Sequence, residues 1–190
     1  LVSLIASSSA WGQSKTGTTI GQFLNIEPGA RGAAMGNAAV ALTEGIATAY
    51  FNPGVAGSLH ESAITFTHSE WFVGITYDYA AAALPVSGLG TIFASVTSLN
   101  SGDIDVRTVD KPLGTGERYS VSNVALGLGY GRQITSRFAA GIRLNYVTEK
   151  IWHSSAKMLT LDVGTVYRLS SGGTKMGFSL SNIGTRNHFS

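Results

Sequence analysis

Phe138-Ala139-Ala140-Gly141-Ile142-Arg143-Leu144-Asn145-Tyr146 alternates at period two. Phe138, Ala140, Ile142, Leu144 and Tyr146 fall on one side, with Ala139, Gly141, Arg143 and Asn145 on the other. That period is the signature of a strand with two unlike faces. Moving outward, 122–131 repeats it, with Val124, Leu126, Leu128 and Tyr130 opposite Asn123, Ala125, Gly127 and Gly129. Leu159, Leu161, Val163 and Tyr167 oppose Thr160, Asp162, Gly164 and Arg168, and Met176, Phe178 and Leu180 alternate with Gly177, Ser179 and Ser181. Ile75, Tyr77, Tyr79, Ala81 and Ala83 alternate with Thr76, Asp78, Ala80 and Ala82, and 63–68 and 90–99 are weaker versions. Seven strands are expected after residue 61.

The second face separates a soluble sandwich from a membrane barrel. Water-facing sheets carry Lys and Glu, whereas here the non-apolar face is mostly Gly, Ala, Ser, Thr and Asn. Charged residues make up 13% of the chain, about half the roughly 25% usual in soluble domains. The 24 glycines are close to twice the roughly 7% average share. No apolar run approaches the roughly 18 residues of a spanning helix. Low charge without such a helix points to a barrel, in which every second residue faces the lumen. Tyr79, Tyr130, Phe138, Tyr146, Trp152 and Tyr167 fall near strand ends, as interfacial girdles would place them. Leu126, Leu128, Ile142, Leu144, Leu161 and Phe178 are expected to face lipid, and Gly127, Asn145, Asp162 and Ser179 to face inward.

Connector lengths extend the argument. The turns at 86–89, 135–137 and 170–173 are short and rich in small residues, and they alternate with longer links at 69–73, 100–119 and 151–156. Barrels place short turns on the periplasmic side and long loops outside. Lys and Arg number 13 and Asp and Glu 11; seven of these lie in 100–119, as a solvated external loop requires.

The chain before residue 62 lacks sustained alternation. Residues 29–41 are dense in Gly and Ala, and Thr43 is expected to cap a short helix through Ile46, Ala49, Tyr50 and Phe51, ended by Pro53 and Gly54. Small residues permit the close packing that a segment folded inside a barrel needs. Residues 1–12 read as a secretory-signal remnant, with an apolar run at 1–6 followed by small residues. The expected division is therefore 1–12 signal remnant, 13–61 plug, and 62–190 barrel wall.

Enzymatic chemistry finds no foothold in the sequence. The absence of cysteine excludes disulfides and thiolate metal sites. His60, His68, His153 and His188 show no paired ligand spacing, and Gly127-Leu128-Gly129-Tyr130-Gly131 sits inside a strand, so it is not a phosphate cradle. Asp103, Asp105 and Asp110 read as solvated loop carboxylates. The net charge of +2 is scattered without a basic run, which argues against nucleic acid. No metal or cofactor is expected. Alternation turns Asp78, Arg143, Asp162 and Arg168 into the lumen, where charges find partners. Arg31 is a further candidate partner, and Arg143 and Asp162 are expected to lie diagonally across a hairpin.

Gly29-Ala30-Arg31, Met35-Gly36 and Asn52-Pro53-Gly54, taken in order, resemble the hatch of the FadL-like family; the commoner form is Asn-Pro-Ala, from which Gly54 departs. Five further stretches are similar to the PorV/PorQ branch. They are His68-Ser69-Glu70-Trp71-Phe72, Ser101-Gly102-Asp103, Gly114-Thr115-Gly116-Glu117-Arg118, Lys150-Ile151-Trp152 and Ser181-Asn182-Ile183-Gly184-Thr185. The resemblance runs from about 17 to 185. It implies a bacterial outer-membrane barrel of about 14 strands, of which 62–190 would be the N-terminal half, plugged by a segment carrying Arg31, Asn52, Pro53 and Gly54. It also implies type IX protein secretion, with exported cargo as partner, whereas other FadL-like members pass fatty acids. Asp103, Asp105, Arg107, Glu117 and Arg118 of the long loop are the expected partner-binding residues.

Overall fold

The computed structural model describes residues 20–169 and 173–184. The expected signal remnant lies outside them, as does most of the 170–173 turn. Seven strands form one antiparallel sheet in the order β1 (Ala63–Glu70), β2 (Thr76–Val86), β3 (Gly90–Asn100), β6 (Val121–Thr135), β7 (Phe138–Ile151), β8 (Ser154–Arg168) and β9 (Lys175–Gly184). A separate ribbon, β4 (Ile104–Asp105) with β5 (Arg118–Tyr119), rises from the link between β3 and β6. Each sheet strand pairs with its neighbour in sequence, and among the described residues β1 and β9 each pair on one side only. Among the described residues no helix is long and apolar enough to cross a membrane.

The two faces differ as the alternation requires. Leu126, Leu128, Ile142, Leu144, Leu161 and Phe178 are exposed on the open face. Gly127, Asn145 and Asp162 are buried on the other, and Ser179 is half-buried there. Residues 20–61 pack on this second face. They run through one-turn helix α1 (Ala30–Ala34) and 3₁₀ turns at Gln22–Asn25, Ile46–Tyr50 and Pro53–Ser58.

Three local expectations are corrected. Thr43 caps nothing: the turn at 46 follows Gly45 (φ 76), with no side-chain cap. Pro53 does not merely end a helix; it opens the next turn, where its missing N–H costs nothing. Asn52 before it is held extended (φ −154, ψ 105), because a residue preceding proline is barred from the helical region. The 151–156 link is no loop. Ile151 pairs with Ser154, leaving a two-residue turn at Trp152 and His153. The apolar pattern stops at Tyr146 while the backbone ladder continues to Ile151, so periodicity alone ended the strand too early.

Candidate functional site

The seat of the 20–61 segment is built from backbone. Gly131, Gly141 and Gly164 stand opposite one another on β6, β7 and β8. The 53–58 turn lies along this row. A methyl at Gly141 would overlap the Pro53 carbonyl, one at Gly164 the Asn52 amide, and one at Gly131 would stand 2.5 Å from the Gly57 nitrogen. Asn52, wholly buried, closes the contact. Its Nδ2 donates to the Val40 carbonyl (2.7 Å) and to the Thr165 carbonyl of β8 (2.9 Å), while Oδ1 accepts from the Gly54 amide (2.9 Å). Pro53 and Gly54 are buried beside it, so Asn52, Pro53 and Gly54 all meet the sheet, whereas Arg31 does not.

Arg143 and Asp162 face each other directly across β7 and β8 rather than diagonally. Arg143 donates from Nε (2.7 Å) and Nη2 (2.6 Å) to Asp162 Oδ2, both side chains being almost wholly buried. Its Nη2 also reaches the Tyr50 carbonyl at 3.1 Å, and the guanidinium carbon lies 5.3 Å from the Tyr50 ring centre. Asn145 Nδ2 donates to Asp162 Oδ2 (2.9 Å) and to Thr160 Oγ1 (3.1 Å). A bulge in β9 completes the carboxylate's shell. The register slips opposite Asp162, Asn182 takes φ 60, and its amide donates to Asp162 Oδ1 at 2.6 Å. A buried ion pair is tolerable only when its remaining lone pairs are satisfied in this way.

The other half of the seat is apolar. Tyr77, Tyr79, Ala81, Ala83 and Phe93 bury against Ile46, Ala49 and Tyr50, and the Tyr50 and Tyr79 rings meet edge to face at 5.4 Å. The hydroxyls tie the preceding chain: Tyr50 donates to the Leu24 carbonyl (2.8 Å), Tyr77 to Ile26 (3.1 Å), and Thr67 of β1 to Pro28 (2.7 Å). Burial pushes the Tyr50 phenol up to about 12, so it remains a donor at any physiological pH.

This packing overturns the placement of Asp78. Tyr77 and Tyr79 turn toward the 20–61 segment, which covers them, so Asp78 points to the open face, where it meets His68 Nδ1 at 2.7 Å. Arg31 does not reach the sheet's acids. It pairs with exposed Glu44 at 3.1 Å, since α1 lies at the water-facing side of its segment. Arg168 keeps the parity of Asp162 but lies at the strand's end, exposed and without an ion pair among the described residues. Glu149, which sequence reasoning missed, is buried on the covered side of β7 and accepts from the Gly21 amide at 2.6 Å. Continuing the alternation of 138–146 by three residues would have found it.

In the ribbon, Arg118 joins Asp105 (3.0 Å) and Asp103 (3.8 Å). Glu117 contributes only backbone there, its carbonyl accepting from Val106, and neither it nor exposed Arg107 makes an ion pair among the described residues. No group of three His, Asp or Glu among the described residues is arranged to hold a metal ion. Beside the ribbon, Tyr119, Trp152 and His153 stack in sequence, with ring centres 6.1 and 4.8 Å apart. The arrangement thus offers a sheet face that grips the 20–61 segment and a polar ribbon at the opposite end from the turns at 86–89 and 135–137. Comparison of the chain with protein-family models, with curated proteins and with solved structures found no match.

Proposed function

We propose that the chain builds wall and plug of a bacterial outer-membrane β-barrel of the PorV/PorQ type, which serves protein export by binding cargo or partner proteins at its loop end. The observation that carries this reading is the inversion of the sheet. Leu126, Leu128, Ile142, Leu144, Phe178 and Leu180 are half exposed or more, while Arg143 and Asp162 are buried. A soluble monomer rarely exposes a contiguous apolar patch beyond a few hundred Å², but a barrel in lipid requires one.

Register sorts the open face into bands. The rows Ala80, Val96, Leu126, Tyr146, Leu159 and Ala82, Ala94, Leu128, Leu144, Leu161 are apolar throughout. The next row toward the long loop reads Asp78, Ser98, Val124, Thr148, Lys157, and the one beyond it Thr76, Asn100, Ser122, Lys150, Ser155. Along β7 the apolar stretch from Phe138 to Tyr146 spans about 26 Å at roughly 3.3 Å per residue. At the usual tilt of about 40° this rises about 20 Å, approaching the roughly 25 Å height of a barrel's apolar band.

The export half of the proposal rests on the resemblance and on the charged ribbon at the polar end. Its test replaces 103–118 by a short Gly-Ser link in cells carrying the intact gene. A heat-modifiable barrel should persist while exported cargo accumulates in the periplasm and uptake of long-chain fatty acids is unchanged. Normal export with lost uptake would favour a transporter of hydrophobic molecules instead.

A further inference from the structure

We propose that the free edge of β4, residues 103–107, takes an extended segment of a partner polypeptide as a third strand of the ribbon. This deepens the export reading by naming the recognition chemistry. Val106 donates to the Glu117 carbonyl and accepts from the Thr115 amide, which puts Ile104 and Val106 in the hydrogen-bonded phase of the β4–β5 ladder. Alternation along an antiparallel pair then turns the N–H and C=O groups of Asp105 away from β5, and Asp103 and Arg107 flank it on the same parity. None of these groups has a hydrogen-bond partner among the described residues. Beside this edge lies a cleft of about 540 Å³, lined by Val73, Tyr119 and residues 103–107.

Two further observations point to an occupant. Val73 is 83% exposed and held at φ 62, a conformation that a β-branched residue adopts only under strain. Such strain persists where the surroundings impose it, commonly at binding sites. The charges in the cleft are also unequal in their pairing. Arg118 holds both Asp103 and Asp105, whereas Arg107 has no counter-ion among the described residues. An incoming strand carrying a carboxylate near Arg107, and apolar side chains alternating toward Val73 and Tyr119, satisfies backbone, cleft and charge together.

The probe is a labelled seven-residue peptide, blocked at both ends, alternating Val and Thr and ending in Glu. It is titrated by fluorescence anisotropy against the full chain in detergent micelles, with empty micelles as control. Two isomers N-methylated on alternate residues separate strand addition from apolar adsorption, because only one edge of an added strand can face β4. One isomer should bind like the parent and the other at least about tenfold more weakly. Val73→Asp should weaken the parent about tenfold, and Arg107→Glu about threefold, the scale of an exposed ion pair. Equal binding or equal loss for the two isomers, indifference to Val73→Asp, or no saturation below about 1 mM overturns the proposal. The assay needs no secretion. Peptide binding with normal export after loss of 103–118 sinks the export reading alone, and lost export without peptide binding sinks this inference alone.

Discussion

Asp162 accepts from Arg143 twice, from Asn145 and from the Asn182 amide, with no exposure to water. Asp78 meets a single histidine on a face where both side chains are about half exposed. Asp162→Asn leaves the Arg143 guanidinium buried without a counter-charge and should cost about 3–5 kcal/mol. Asp78→Asn should cost about 1 kcal/mol or less. Guanidinium titration of the folded chain in detergent measures both, and an equal cost would mean that β2 presents Asp78 inward after all. The buried pair was legible in the sequence because Arg143 and Asp162 share a parity with glycines and asparagine. Asp78 was not, because tyrosine has both an apolar ring and a polar tip. Periodicity counts it with leucine, while packing against Tyr50 decides where it goes.

At the scale of elements, two features follow from backbone rather than from side-chain pattern. Gly141 has room only for hydrogen against Pro53, so Gly141→Ala must lift the 53–58 turn from the row. The sheet should survive, with unchanged far-ultraviolet dichroism, while limited proteolysis cuts within 29–59 at least about tenfold faster, equivalent to some 1.4 kcal/mol of lost seating. Unchanged protection would show that the side-chain anchors alone hold the segment. In the 71–75 link, Val73→Asn should raise stability by about 1 kcal/mol, since asparagine tolerates the left-handed region that valine resists. A fall in the denaturation midpoint would show that Val73 packs more than its exposure indicates. Strand number and order could be read from period two. The strand ends at 151 and 154 could not, because the hydrogen-bonded ladder continues through Thr148, Glu149 and Lys150 after the apolar signal has ceased. The ribbon at 104–105 and 118–119 was likewise hidden, being two residues deep on each side.

For the molecule as a whole, the open face sets the solvent. Leu144→Lys on that face should leave water-exposed stability nearly untouched, yet cost about 2–4 kcal/mol in folding into lipid vesicles, the usual penalty for a cation at mid-depth of a barrel wall. Equal cost in both media would argue for a covered face and against a membrane. The covered side has its own consequence, which concerns time. The anchors of the internal segment join residues far apart in sequence: Asn52 to Thr165 across 113 positions, and Gly21 to Glu149 across 128. Contacts of such separation form slowly, since loop closure must precede any gain from them. The glycine row itself exists only once β6, β7 and β8 are side by side. The 20–61 segment, synthesised before these strands, therefore has no seat until they are assembled, and it should gain protection after them. Pulsed hydrogen exchange during refolding would show this as amides of 46–58 protected after those of β6 and β7. Protection in the reverse order would mean that the segment templates the sheet rather than filling it.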